Sequence, residues 1–316
     1  MFLINLLYFN RHKTITMSHL LILGASGVLG SAATKYFLKT GFTVTAFVRN
    51  KNKAADLEKS GAKLIIGDLT NPGSIKDCCK NMDVVITAAH GMLGKGKNKS
   101  QNIDETGHRL LIDEALQSGV KHFIYTSVNN ASENHPIDFF RTKYVIEQYL
   151  VNSGLNYTIL RLPAFMEWHV YNLLGKNIVQ KGKTTILGKG MNPTNFIAVK
   201  DIVAALDKII LDENYYNKLI PVAGPQNLTK NKIAELFGKA LNIKPKIGHV
   251  PVGVLKLFSV LFQPVHPGVA RIMKLAIATE QSDETMNVKN SIEQFGLIPT
   301  NIEEFIQNVI SNNPSK

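Results

Sequence analysis

HLLILGASGVLGSAATKYFL, residues 19–38, decides the reading of the fold. Its first part, His19–Leu23, is a short apolar run that stops at Gly24, as a strand buried on both faces would. From Val28 to Leu38 the apolar positions take helical spacing, and Gly41 lies just beyond the end. A buried strand that turns through glycines directly into a helix is the opening half of a βαβ unit. The alternation continues outward through TVTAFV at 43–48, a helical stretch at 54–60, KLII at 63–66 and a helix around 74–80. It goes on through DVVIT at 83–87, a helix at 105–117, HFIYT at 122–126, a helix at 140–151 and YTIL at 157–160. Short apolar runs separated by helices predict parallel strands, so the expected fold is α/β, a doubly wound parallel sheet.

After Arg161 the rhythm breaks. Residues 164–194 read as a helix and a basic, hairpin-like stretch, GKNIVQKGKTTILGKG. A short strand at 195–198 and a helix at 200–211 read as a return to the sheet. From Pro225 onward, amphipathic helices punctuated by proline predict a smaller, mostly helical lobe. The expected organisation is a tail at 1–17, an α/β domain at 18–165 rejoined by 195–225, and a cap lobe built from 166–194 and 226–316.

Composition narrows the partners. The chain has 316 residues, 45% hydrophobic and 19% charged, which excludes disordered and coiled-coil classes. Lys and Arg number 36 against 24 Asp and Glu, a net charge of +12. The excess is spread along the chain, and 30 of those cations are Lys and only six Arg. That is the composition of solvated helix faces rather than of bidentate phosphate or base recognition, so no nucleic-acid partner is expected. The only cysteines are the neighbours Cys78 and Cys79, which cannot staple a chain of this length, and a reducing cytoplasm is the expected compartment. MFLINLLYF at 1–9 precedes Arg11, His12 and Lys13, the reverse of a signal peptide's order, and is too short to span a bilayer. It reads as a tail or an upstream start before Met17.

The glycine spacing carries the first chemistry. G-x-x-G-x-x-G between a strand and a helix is the setting of a dinucleotide fingerprint. Gly24 makes the tight turn, Gly27 lets the backbone approach a pyrophosphate, and Gly30 lets helix pack closely on strand. The loop as a whole, with Ser26, Val28 and Leu29, is expected against the cofactor. Arg49 directly follows the second strand, where an acidic residue would bond a ribose 2′-hydroxyl; a cation there suits a 2′-phosphate. NADP(H) is therefore expected in preference to NAD(H). Asp68 and Leu69 end the third strand, near the adenine, and Ala88, Ala89 and His90 end the fourth, near the pyrophosphate and ribose.

These residues resemble the short-chain dehydrogenase/reductase superfamily, and within it the atypical NmrA-like group. The resemblance rests on GASGVLG at 24–30, Arg49, GDL at 67–69, FIYTSV at 123–128 and KYVIEQYLVNSGLNYTILRLPAF at 143–165. It implies that Thr126, Pro163, Ala164 and Phe165 contact the cofactor, the last three at its nicotinamide end. It also implies catalytic roles for Ser127, which would orient a substrate oxygen, and Lys143, which would bind the nicotinamide ribose. The tyrosine of the superfamily's Tyr-x-x-x-Lys motif is replaced by Phe139, and that motif occurs nowhere in the chain. The resemblance thus implies a reductase that delivers hydride to an apolar carbonyl or quinone-like acceptor needing little acid assistance. Its alternative is a non-catalytic NADP(H)-binding redox sensor or assembly factor. Lys143 also reads as an exposed helix cation paired with Glu147 at i+4. Glu167, Trp168 and His169 are candidates for a pocket wall.

Other chemistries lack their motifs. There is no G-x-S-x-G, H-E-x-x-H or C-x-x-C, and no metal site is expected. Asp104 and His108, spaced i and i+4, read as a surface pair. In the cap lobe VGVLKLFSVLF at 252–262 is apolar almost all round, broken by Lys256, and VARIMKLAIAT at 269–279 carries Arg271 and Lys274 among apolar residues. They predict a helix pair capping the sheet, a channel for a small apolar substrate, or a surface for a membrane or protein partner.

Overall fold

The apolar runs of the first half become neighbouring strands in a computed structural model that describes residues 18–210 and 212–312. The tail expected at 1–17 lies outside the described residues. In chain order the first half comprises β1 (His19–Leu23), α1 (Val28–Lys39), β2 (Thr43–Val48), α2 (Ala55–Lys59), β3 (Lys63–Ile66), α3 (Pro72–Ile75) and β4 (Val84–Thr87). A π-helical segment (Gln101–Gly107) leads into α4 (His108–Gln117), followed by β5 (His122–Val128), α5 (Asp138–Val151) and β6 (Tyr157–Leu162). The second half begins with β7 (Ala164–Phe165), a second π-helical segment (Met166–Gly175), α6 (Lys176–Lys181), β8 (Lys183–Leu187), β9 (Thr194–Ile197), α7 (Val199–Ile210), β10 (Lys218–Pro221) and β11 (Gln226–Leu228). It closes with α8 (Lys230–Leu241), β12 (Lys246–Val250), α9 (Val252–Phe262), α10 (Pro267–Ala278), α11 (Lys289–Phe295) and α12 (Ile302–Asn312).

The main sheet has seven strands in the order β10-β6-β5-β4-β1-β2-β3, all paired in parallel. The order reverses between β1 and β4, which opens a crevice at the C-terminal ends of the strands. Strand alternation divides the core between the two faces. Leu20 and Ile22 point to one side, where Phe37 of α1 and Leu206 of α7 cover them. Leu21 and Leu23 point to the other, under Leu111 of α4 and Ile146 of α5. A third apolar cluster, around Met166, Phe196 and Phe237, holds the cap together.

Three local expectations change. The return to the sheet is made by β10 beside β6, whereas β9 joins β7 and β11 in a separate three-stranded sheet. The hairpin-like stretch is α6 followed by β8, and β8 pairs in parallel with the distant β12. The helix expected around 74–80 shortens to α3, capped by Asn71 with Pro72 in its first turn. Beyond it Asp77 and Asn81 adopt left-handed backbone angles that a helix cannot continue through.

Candidate functional site

The glycine loop sits at the crevice where the strand order reverses. Gly24 has φ +72°, and a Cβ there would lie 2.7 Å from the Ala89 nitrogen. A Cβ on Gly30 would lie 2.3 Å from the Gly24 carbonyl oxygen, so the strand-to-helix turn closes only around glycine at both places. Gly27 caps α1 with no side-chain hydrogen bond, leaving the helix's first amides available to an anion. Ser26, Gly27 and Val28 are exposed beside these amides, whereas the Leu29 side chain is buried in the core. An uncapped helix N-terminus with an open glycine turn is a donor set that fits a dinucleotide's diphosphate.

The other crevice residues arrive from the ends of successive strands. Arg49 is exposed just beyond β2; its Nη1 donates to Asn98 Oδ1 at 3.4 Å, and among the described residues no ion pair engages it. Lys51, close by, is paired with Glu58. Asp68 Oδ1 accepts from both the amide and the hydroxyl of Thr70 at 2.9 Å, which pins the carboxylate at the end of β3. The Leu69 side chain packs in the core, so only its backbone is open to a role in the crevice. Ala88 and Ala89 are half-buried after β4, and the exposed His90 meets the ring of Phe139 edge-on at 6.0 Å.

Beneath this edge lies a buried charge network. Lys143 on α5 is 3% exposed, and its Nζ donates to the Thr126 carbonyl at 3.0 Å. The ammonium stands 4.0 Å from Asp104 Oδ1 and 4.6 Å from the centre of the Tyr125 ring. Burial pushes the lysine's pKa down, opposed by the carboxylates of Asp104 and Glu147. Asp104 is fully buried; its Oδ2 accepts from the Gly91 amide and the Ser100 hydroxyl, while Oδ1 has no hydrogen-bond donor. His108 is fully buried beside it, with Nδ1 bonded to the Ile103 carbonyl and Nε2 to Thr87 Oγ1, each at 2.8 Å. Since a carbonyl only accepts, Nδ1 carries the proton and Thr87 donates to Nε2. Burial pushes this histidine's pKa down to about 4.

Two sequence readings are corrected here. Lys143 is not an exposed cation paired with Glu147, and Asp104 with His108 is not a surface pair. The π-helical turn at 101–107 carries Asp104 inward toward Lys143, a juxtaposition that no sequence spacing announces. Glu147 has other partners: Ser127 Oγ donates to its Oε1 at 2.5 Å, and Arg161 spans both its oxygens at 3.0 and 2.6 Å. The Ser127 hydroxyl is thus committed to a buried carboxylate, while Thr126 Oγ1 donates to the Thr87 carbonyl and ties β5 to β4.

Next to the crevice, between sheet and cap, is a mostly apolar cavity of about 420 Å³. Phe139, Leu162, Pro163 and Ala164 form its sheet side, and Ile272, Leu275 and Ala276 of α10 form its roof. Phe165 is half-buried just past Ala164, on β7. A few polar groups gather in the cavity wall, among them His169, Lys230 and Glu284. Burial lowers the Lys230 pKa, against the attraction of Glu280 and Glu284. Of the expected pocket wall, His169 lines the cavity, Trp168 is 44% exposed, and Glu167 accepts from the Val199 amide at the start of α7. The α10 roof falls within 269–279, the stretch read as a cap helix or a channel for an apolar substrate, whereas Lys230 had no signal in the sequence, because only folding brings the start of α8 to the cavity.

Known proteins give this geometry a setting. The chain is 26% identical over 298 residues to the photosystem II assembly factor Ycf39 of Synechocystis sp., covering 91% of this chain and 89% of that protein. Its fold matches an NADPH-dependent quinone oxidoreductase from Escherichia coli, solved with NADPH, at a TM-score of 0.74 and 19% identity, over 92% of this chain and 99% of that one. It also matches the Citrobacter sp. triphenylmethane reductase complexed with NADP(H), at a TM-score of 0.74 and 20% identity, over 92% and 99% of the two chains. The profile of the NmrA-like family matches residues 16–306. With a seven-stranded Rossmann sheet, a glycine turn at its switch point and a family match across nearly its whole length, this chain belongs to the NmrA-like family.

Proposed function

We propose that this protein is an NADP(H)-dependent reductase that passes hydride to an apolar carbonyl or quinone-like acceptor held under the cap. The observation that carries the reading is the apolar cavity of about 420 Å³ opening beside Phe139, Pro163 and Ala164 at the C-terminal edge of the sheet. NADPH, when bound, supplies the hydride; the chain's own residues bind and orient. The amides at the start of α1 and the loop 24–30 hold the diphosphate, Arg49 faces the 2′-phosphate, and Lys143, fixed between Thr126 and Asp104, meets the ribose. Phe139 presents an apolar ring where a proton donor would otherwise stand, so the acceptor is one whose reduced form takes its proton from water. Quinones meet that requirement, and the lining suits them. The buried free thiols of Cys78 and Cys79 fit a reducing compartment such as the cytoplasm.

NADPH oxidation against a panel of quinones, aldehydes and azo dyes tests the activity; no turnover with any of them rejects it. Arg49→Asp tests the cofactor preference. It is expected to weaken NADPH binding by at least about tenfold more than NADH binding, read by fluorescence titration, and equal losses would reject the 2′-phosphate contact. A second reading, a non-catalytic NADP(H)-dependent assembly factor or sensor, draws on Phe139 and on the similarity to Ycf39 across 91% of the chain. Tight NADPH binding without turnover, together with a co-purifying protein, is its signature.

A further inference from the structure

The cap carries a surface that neither the crevice nor the cavity uses. Along α9 only Leu255 and Ser259, one turn apart on a single stripe, are fully inward. Around the rest of that helix Leu257, Phe258, Val260 and Leu261 are exposed, and Val265 continues the surface into the turn before α10. Val260 and Val265 are 70% and 71% exposed. A contiguous apolar surface of this kind marks an interaction site rather than ordinary scatter. Among the described residues no helix is long and apolar enough to cross a membrane, so α9 is a candidate only for lying on one.

Charge identifies the occupant. From Leu236 to Thr279 the chain contains no Asp or Glu, yet it holds Lys239, Lys244, Lys246, Lys256, Arg271 and Lys274. Arg271 is spent inward on Asp138, while the five lysines are exposed. Lys256 belongs to α9 itself, and Lys274 reaches its end, donating to Gln263 at 2.8 Å. We propose that α9 and the turn at 263–266 seat the cap on an anionic lipid surface. The apolar side chains enter the boundary between headgroups and acyl chains, and Lys256 and Lys274 reach lipid phosphates. A second copy of the chain is a poor occupant, because face-to-face packing of α9 on its counterpart would bring the Lys256 and Lys274 ammonium groups of the two copies together. Docking also has a geometric consequence. α10 packs directly against α9 and supplies the cavity roof, so the bound bilayer lies about 10 Å, one helix layer, from the cavity. The docking does not depend on the reductase reading and is measured without cofactor.

Flotation of the full chain with vesicles tests it. Recovery is expected with phosphatidylcholine vesicles containing about one-third phosphatidylglycerol, little with phosphatidylcholine alone, and less as salt rises. Leu257→Glu combined with Leu261→Glu is expected to lower the partition coefficient by at least about tenfold. Lys256→Ala and Lys274→Ala should each lower it about fivefold. All variants should keep the parent's circular dichroism. Unchanged flotation of the variants would place binding elsewhere, residues 1–17 included, and overturn the proposal. Absence of flotation on anionic vesicles, or equal recovery on both compositions, would overturn it as well. So would a dimer in light scattering that Leu257→Glu disperses, since that would give the face to a second copy.

Discussion

α1 and α9 are helices of nearly equal length, 12 and 11 residues, and both are rich in apolar side chains. α1 buries Leu29, Gly30, Ala33, Thr34 and Phe37, while α9 fully buries only Leu255 and Ser259, although it is the more apolar of the two. The difference lies in what covers them. α1 rests on one face of the sheet with α7 alongside, so its apolar stripe has partners along its length. α9 lies outside α10, and its remaining apolar sides face away from the fold. Hydrophobicity alone therefore does not place a helix in the core; a surface of matching shape must be there to receive it.

Perturbing the two regions should separate them further. The largest effect is expected from acid, and two fully buried histidines of the Rossmann half contribute to it. His108 and His122 are 0% and 1% exposed, and burial holds both at pKa values of about 4. Their folded-state pKa values lie below the ordinary 6.5, so the unfolded chain binds more protons in that interval. Stability should rise with pH across the interval and be lost as pH falls from about 6.5 to about 4, by up to about 3 kcal/mol for each histidine. Denaturant titrations across that range check the slope; a flat profile contradicts the buried neutral rings.

Next in size, Phe37→Ala should cost about 4 kcal/mol in urea unfolding, because the ring is fully buried between sheet and helix. Asp104→Ala should cost about 3 kcal/mol, since it leaves the Lys143 ammonium buried without its carboxylate. Adding Lys143→Met should restore part of that loss, whereas a purely packing role for Asp104 predicts no recovery. The smallest effect belongs to α9. Leu257→Ala should shift stability by less than about 0.5 kcal/mol, because its side chain is already 59% exposed. A cost comparable to that of Phe37→Ala would show that α9 is covered in the folded protein and erase the contrast.

Much of the Rossmann half was legible in the sequence because its signals are local. Apolar runs, helical spacing and the glycines at 24, 27 and 30 each report on a few consecutive residues, and parallel strands joined by helices have few ways to pack. The crevice residues were legible for the same reason, since each follows directly on a strand. The cap was less so. β8 pairs with β12 some sixty residues on, and β9 leaves the main sheet for β7 and β11. Short strands of that kind have no pattern that names their partner.

The sequence by itself determined the doubly wound sheet, the glycine turn at its edge, Arg49 after the second strand and the absence of the Tyr-x-x-x-Lys tyrosine. Tertiary structure alone decided that Lys143 is held by Asp104 and the Thr126 carbonyl, and that Glu147 answers to Ser127 and Arg161. It also decided that the cavity is roofed by α10 and that α9 faces outward. The physical reason is range. Periodicity and turn chemistry act between neighbours along the chain, whereas a buried charge finds its partner, and an apolar face its cover, among residues that only folding brings together.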